Sequence, residues 1–443
     1  MNSPRPCPSF RGCGFQPRSS RPVSVRPRPH RGSLSPFRGC GFQPRLLPLL
    51  LALLPLLLPL ASPAWQPNSL LVWINGDKGY QGISEIGARF TEATGIPVTV
   101  EHPDGAPDKF ANAAQSGKGP DIMIWAHDRL GEWADNGLLM PVDPSPAFRA
   151  NVFPKAWEAF THRGRLWGFP IAMEATTLIY NRDLISPDQI PADLDGIRAL
   201  APALREKGAA PILWDYNNTY FTWGLLAAGG AQIFARTPSG DYDPADVHVD
   251  DPSAVEAATV LVSLLRDGLI ARSASYSVAE AQMNQGRLAM FISGPFAWEN
   301  LRKSGIDFGI ALVPGLHGQP GRPFVGVLGA MFNRSSPNLD LAQEFLEHWL
   351  VTPAGIAAVD AHVPVGAPAL RPAYDAMSSD PHVAGLMANV EVGTLMPNIP
   401  QMGAFWSAME TALNTLTTFR DAPSTALSSA ASRIRAASAP ASP

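Results

Sequence analysis

SLLVWINGDKGYQGISEIGARFTEATGIPVTVE, residues 69–101, decides the fold. Ser69–Asn75 is a short apolar run and reads as a buried strand. Gly76-Asp77-Lys78-Gly79 turns the chain. Ile83, Ile86, Gly87 and Phe90 then recur at helical spacing over Tyr80–Thr91. Gly95 ends that helix, and Ile96–Glu101 resumes as a strand. Asp121–Trp125 (DIMIW) supplies a third strand, and a helix follows from Asp128 to Asn136. Alternation of strand and helix is the pattern of a parallel sheet wrapped by helices, so the fold class is α/β. Ligands of such sheets bind beyond the carboxyl ends of the strands. The loops holding Asp77-Lys78 and His127-Asp128-Arg129 stand at such ends.

The remaining chain is more helical. Helices are expected at Asp188–Lys207, Tyr220–Gly229, Ser253–Asp267, Val278–Gly286 and Pro295–Lys303, with strands at Ala289–Ser293, Phe308–Val313 and Phe324–Phe332. Further helices are expected at Leu339–Leu350, Pro353–Val359, His382–Val392, Gly403–Thr417 and Ser424–Ala437. A chain of 443 residues exceeds the usual single core, so two α/β lobes are expected, the chain passing between them more than once.

The formal charge of −4 is unevenly placed. Residues 1–64 hold nine Arg and no acid; removing them from the totals leaves 25 basic and 38 acidic residues, a balance of −13. Such a body argues against nucleic acid as a partner, because phosphate binding needs a basic face. Cys7, Cys13 and Cys40 all lie in that first segment, so no disulfide, zinc site or thiol nucleophile is available to the body. Arg45, the apolar run Leu46–Ala61 and the small residues Ser62-Pro63-Ala64 read as a secretory signal peptide cut after Ala64. The octapeptide RGCGFQPR occurs at both 11–18 and 38–45, and this Arg/Pro/Ser-rich block reads as an excess segment ahead of the signal.

Nucleotide-binding GxxxxGK[ST], zinc-binding HExxH and esterase GxSxG motifs are all missing from the sequence. What stands out is a mixture of rings and hydrogen-bonding groups at loop ends. Sugars need this mixture: one ring face stacks on an aromatic plane, while the hydroxyls of the rim donate to carboxylates and accept from Lys and Arg. Asn75, Asp77, Lys78, Asp128, Arg129 and Glu174 form the polar set; Trp125, Tyr220, Phe221, Phe296 and Trp406 form the aromatic set. Each has a plainer reading. Asp77 also suits a turn, Asp128-Arg129 an N-cap with a surface partner, and Trp125 and Trp406 a core. Glu174 is different, because an acid inside GFPIAMEATTL is costly without a partner. Glu174 with Asp77 or Asp128 could make the acid–base pair of a glycosidase. The neighbouring Lys78 and Arg129 instead suit carboxylates that hold hydroxyls. No catalytic, cofactor or metal site is expected.

Ten segments resemble the periplasmic maltose/maltodextrin-binding proteins of ABC transporters. They are VWINGDKGY (72–80), VTVEHPD (98–104), GPDIMIWAHDR (119–129), PIAMEA (170–175), LIYNRDL (178–184), YFTW (220–223), YSVAEA (276–281), GPFAW (294–298), GQPGRPFVGVL (318–328) and MPNIPQMGAFW (396–406). The resemblance implies a two-lobed periplasmic binding protein fold with a hinge of three crossovers. It puts residues 65–172 and 330–375 in the first lobe and 177–324 and 380–443 in the second. Crossovers are implied near Met173–Thr176, Val325–Gly329 and Ala376–Ser379. It further implies hydrogen bonds to sugar from Asn75, Asp77, Lys78, Asp128 and Arg129, with Glu174 near the hinge. Stacking falls to Trp125, Tyr220 and Trp406, and Phe221, Tyr276, Phe296 and Met396 line the second-lobe side. The implied partners are a maltodextrin ligand, the membrane subunits of a transporter and a chemoreceptor, and the implied state is a periplasmic monomer.

The departures bear on the ligand. Asn218 stands where the family has a Glu, Phe296 where it has a Trp, Pro107-Asp108 where it has Glu-Glu, and Glu410 where it has an Arg. An α-linked glucose oligosaccharide is therefore the expected ligand class, with altered affinity or preferred length.

Overall fold

The computed structural model describes residues 65–438, apart from Asp77 and Ser239. The expected signal peptide, its cut after Ala64 and the three cysteines lie outside the described residues. Among the described residues no helix is long and apolar enough to cross a membrane.

In chain order, the strands of the two main sheets are β1 (Leu70–Trp73), β2 (Val98–Glu101), β3 (Ile122–Ala126), β4 (Leu139–Met140), β5 (Phe169–Ala175), β6 (Thr177–Asn181), β7 (Ala210–Leu213), β8 (Leu288–Ser293), β9 (Phe308–Ala311), β10 (Phe324–Asn333), β11 (Ala367–Pro368) and β12 (Thr394–Leu395). The larger sheet has the order β11-β5-β10-β3-β1-β2, with β4 and β12 also paired to β10. Strands β1, β2 and β3 are parallel, as the opening stretch predicts. The sheet as a whole is mixed, because β10 runs antiparallel to both β3 and β5. The smaller sheet has the order β9-β6-β8-β7. This is an α/β chain with two main sheets, in keeping with a two-lobed fold.

The helices that matter below are α1 (Tyr80–Thr94), α2 (Ala106–Gln115), α3 (Thr219–Leu226), α4 (Pro252–Arg266), α5 (Tyr276–Asn284), α6 (Pro381–Val392), α7 (Met402–Thr417) and α8 (Pro423–Ser438). Helix α1 shows how local sequence sets the packing. Ile83, Ile86 and Phe90 form one buried face. Burial of each stabilises by roughly 1.5–3 kcal/mol. On the same helix, a Cβ at Gly82 would lie 2.4 Å from the Ala358 carbonyl, so only glycine allows the helix over residues 353–360 to come so close. Gly95 stops α1 in the left-handed region (φ 75), its N–H returning to the Thr91 carbonyl.

The expected helix over Asp188–Lys207 is not formed as such. A 3-10 turn covers Pro187–Gln189, and a helix begins only at Ile197. Pro191 accounts for the gap: the residue before a proline is pushed out of the helical region, and Ile190 is extended (φ −68, ψ 122). Strands β5 and β6 are a gain over the sequence reading. Both are buried almost throughout, so neither shows the alternation that marks a half-exposed strand.

The chain first passes between sheets at Thr176, the one residue separating β5 from β6. Residues 312–323 bring it back to the head of β10, where Val325 pairs with Ala175 and Gly326 with Glu174. The last passage is a zigzag. Helix α6 is fastened to the edge of the smaller sheet by Asn389, which donates to the Ala311 carbonyl (2.9 Å) and accepts from Val313 N (3.2 Å). Lys155, on the helix Pro154–Ala159, donates to the carbonyls of Val390, Glu391 and Gly393 at the end of α6. Those acceptors have no partner within their own helix, and the cation suits the negative helix end. Strand β12, within the stretch expected for the second lobe, then joins β10 of the larger sheet. From Met402 the chain continues as α7 and α8, which pack on α3 and α4 beside the smaller sheet.

Candidate functional site

The carboxyl ends of the strands point at one place. Asn75 and Lys78 follow β1, Asp128 follows β3, Glu174 lies at the end of β5, Asp215 to Phe221 follow β7, and Phe296 follows β8. Because β10 runs the other way, it brings its beginning there, with Gly326 and Leu328. Met396 follows β12, and Trp406, Glu410 and Asn414 recur every fourth residue along one face of α7. Together these residues enclose a cleft of about 830 Å³ between the two sheets.

Ten of the sequence-derived candidates line this cleft: Asn75, Lys78, Trp125, Asp128, Glu174, Tyr220, Phe221, Phe296, Met396 and Trp406. Asp77 lies outside the described residues. Arg129 and Tyr276 are not in the cleft lining. Arg129 is turned toward Glu132 (3.0 Å) one helical turn on and toward Asp108 of α2 (3.4 Å). Tyr276, the first residue of α5, stands behind the lining, stacked on Phe221 with centroids 5.7 Å apart and packed on Phe296 at 6.0 Å. It holds the rings that face the cleft, and burial pushes its hydroxyl pKa up to about 12.

Glu174 has the partner its apolar setting called for. Lys78 Nζ donates to both of its carboxylate oxygens, at 2.8 and 2.9 Å. The ammonium also lies 5.9 Å from the ring centroid of Phe296, so an ion pair at the larger sheet meets a ring that follows a strand of the smaller one. Tyr220 and Phe221 meet edge to face at 5.3 Å, and burial raises the Tyr220 pKa. Trp406 is half-buried and meets Phe324 edge-on at 5.4 Å, whereas its neighbour Phe405 is fully buried.

Asp128 behaves otherwise than its neighbour suggested. The charge of Arg129 pulls its pKa down. Burial outweighs that attraction, and its pKa is raised to about 6. Its Oδ1 is buried and has no hydrogen-bond partner among the described residues. Beside it, His127 is fully buried and tied at both nitrogens. Val327 N donates to Nδ1 (3.0 Å), so the proton sits on Nε2 and is donated to the Met396 carbonyl (2.8 Å). Desolvation lowers its pKa to about 4. One neutral imidazole thus joins three segments that each contribute to the cleft wall.

Sequence reasoning missed Asp215, Asn217 and Thr219 as lining residues, and it named Glu410 only as a departure from the family pattern and Asn414 not at all. For the last two the signal was present, since they stand four and eight residues beyond Trp406. Asn218 caps α3, its Oδ1 accepting from Tyr220 N (3.0 Å), which leaves its two amide hydrogens and one oxygen lone pair unused by the cap. Asn217 accepts from Thr417 Oγ1 (2.7 Å), which fixes the loop before α3 against α7.

A family model described as bacterial extracellular solute-binding protein matches residues 75–357. The chain is 26% identical over 377 residues to the galactooligosaccharide-binding protein of Bacillus subtilis (strain 168), covering 82% of this chain and 88% of the relative. It is 27% identical over 361 residues to the maltotriose-binding protein of Pyrococcus abyssi (strain GE5 / Orsay), covering 79% and 75%. It is 25% identical over 338 residues to a maltooligosaccharide ABC transporter solute-binding lipoprotein of Streptococcus pneumoniae (strain ATCC BAA-255 / R6), covering 74% and 80%.

Proposed function

From the premise that this chain belongs to the bacterial extracellular solute-binding protein family, we propose that it captures α-linked glucose oligosaccharides, the maltodextrins, and delivers them to the membrane subunits of an ABC transporter. The observation that carries the reading is the composition of the cleft. The rings of Trp125, Tyr220, Phe296 and Trp406 line it together with groups that satisfy hydroxyls. The partnerless Oδ1 of Asp128 is an acceptor that a sugar hydroxyl would complete. Two relatives named for maltotriose and maltooligosaccharide, and one for galactooligosaccharide, support the oligosaccharide class.

In this reading residues 65–172 with 330–375 and residues 177–324 with 380–443 act as two lobes. Sugar binds the open form and adds contacts that exist only when the lobes close, so closure is a population shift driven by differential affinity. Hinge bending at Thr176 and at the head of β10 supplies the motion. The signal peptide exports the chain, and the closed form is what the transporter recognises. Both oxygens of Glu174 are engaged by Lys78, which suits a group that orients ligand rather than one that transfers a proton. Isothermal titration with maltose and maltotriose tests the proposal: saturable heat at micromolar sugar is expected, and no heat at millimolar sugar overturns it. Incubation with maltoheptaose should release no new reducing ends.

A further inference from the structure

Strand β10 shares one of its edges between two partners and has a gap between them. Strand β5 holds the opposite edge over Val325–Ala330. On the shared edge β3 pairs in the register Gly329↔Trp125 and Leu328↔Ala126, so the next position would set Val327 against His127. The backbone does not continue that ladder. Residues 127–129 turn away as a 3-10 helix, which carries Asp128 to the cleft lining. Further back along β10, β12 takes over: Leu395 pairs with Val325, and Met396 N donates to the Val325 carbonyl (3.2 Å). The Val327 N–H falls between the two partners, in a strand buried along its whole length. A buried N–H without an acceptor would be costly there.

The side chain of His127 fills the gap. Its Nδ1 accepts from Val327 N (3.0 Å), which restores the ladder bond that the backbone gave up. Its Nε2 donates to the carbonyl of Met396, the first residue past β12 (2.8 Å). The ring is fully buried and is not itself in the cleft lining. It splices the end of β3 to the end of β12 across β10. All three joined points border the cleft. Asp128 follows His127, Gly326 and Leu328 flank Val327, and Met396 is itself in the lining. The Met396 methyl lies over Gly326, 3.2 Å from where a Cβ would stand. Without the splice, a loop leaving the sheet and a strand ending beside it could each shift, and ordering them on binding would cost affinity. A ring bonded on both sides removes that freedom before a ligand arrives.

We propose that His127 is the positioning residue of the cleft, holding the Asp128 loop, the head of β10 and Met396 as one preassembled wall against which sugar binds. The inference rests on the oligosaccharide reading for its ligand and adds the residue that sets the site.

The test compares His127→Leu, His127→Asn and His127→Gln with the unaltered protein at pH 7. Leu removes both bonds. Asn places an amide oxygen near the site of Nδ1, and Gln an amide nitrogen near the site of Nε2, so each can keep one bond. By titration, maltotriose should bind about tenfold weaker to His127→Leu and about threefold weaker to the Asn and Gln variants, a graded rescue. Asn333→Leu is the matched control for a structural role. Asn333 is fully buried at the far end of β10, donates to the Lys118 carbonyl (2.9 Å) and accepts from Ser335 N (3.1 Å). It should lower the urea midpoint as His127→Leu does and change affinity by less than about twofold. Hydrogen exchange gives a readout that needs no sugar. In the His127 variants, peptides covering 325–329 and 394–399 should exchange faster, while one covering 331–335 keeps its protection. Affinity equal to that of the unaltered protein in every folded His127 variant overturns the assignment, as does unchanged exchange at the cleft end of β10. If His127→Leu does not fold, weaker binding in either amide variant upholds it and equal affinity in both overturns it. If the unaltered protein binds no sugar, the oligosaccharide reading falls, and exchange alone decides whether His127 holds the wall.

Discussion

Strand β3 has an aspartate at each end, and the two live differently. Asp121, just before the strand, is 3% exposed and fully occupied. It accepts from Leu71 N (2.7 Å), Ser336 Oγ (2.6 Å) and Asn338 Nδ2 (3.0 Å), which joins the neighbouring strand to the loop after β10. Asp128, just past the strand, is also withdrawn from water, but its Oδ1 is empty and its pKa is raised to about 6. A buried carboxylate that has all its donors is part of the scaffold. At Asp128 one oxygen lacks a donor among the described residues, at a strand's carboxyl end that opens on the cleft, which suits the ligand contact proposed above.

The comparison breaks most visibly at Asp121. Asp121→Ala leaves Leu71 N and Ser336 Oγ without this acceptor and removes one of the two acceptors of Asn338 Nδ2. We expect a loss of about 3 kcal/mol or more in urea unfolding. Maltotriose affinity should change by less than about twofold, because none of those donors reaches the cleft. If affinity fell in step with stability, the two ends of β3 would not be separable.

Asp128→Asn reverses the pattern. The amide keeps the shape and removes the buried charge, so stability at pH 7 should not fall. Affinity for maltotriose should drop about thirtyfold, about 2 kcal/mol, through loss of a carboxylate acceptor. Titration calorimetry beside urea unfolding reads both, and an unchanged affinity would reassign Asp128 to the scaffold. Trp406→Ala should weaken binding about tenfold, about 1.4 kcal/mol, by removing a stacking plane. Phe405→Ala, one residue away on the buried face of α7, should cost stability instead.

How much of this was legible follows the same division. The SLLVWIN and DIMIW runs and the 83/86/87/90 spacing declare strands and helix, because each pattern is set by neighbours in sequence. The loops past those strands could be nominated for the same reason. What the sequence could not settle was orientation. Whether Arg129 faced the cleft or Glu132 is decided by packing across α2, and Tyr276 stands behind the lining because Phe221 and Phe296 stand before it. The roles of Asp121 and His127 depend on residues some 200 positions away, Ser336, Asn338 and Val327, with which no local pattern connects them.

The smallest expected effect is also the sharpest separation, because Asp128 and its neighbour His127 titrate in opposing senses. The folded-state pKa of Asp128 is raised to about 6, above its unfolded value of 3.8. Between those values the native state binds more protons, so this group adds stability as pH falls through 6. For His127 the folded value of about 4 lies below the unfolded 6.5, and the unfolded state binds more protons, so this group removes stability as pH falls below 6.5. Going from pH 7 to pH 5 the two partly cancel in the unaltered protein. In Asp128→Asn only the His127 effect remains, and urea midpoints should fall more steeply over that interval. Sugar reads Asp128 from the other side. If the carboxylate accepts the hydroxyl, binding favours the ionised form, and maltotriose affinity should weaken several-fold from pH 7 to pH 5 in the unaltered protein and hold level in Asp128→Asn. Parallel pH profiles in the two proteins would mean that Asp128 is neither the acid strained by burial nor the acceptor left open in the cleft.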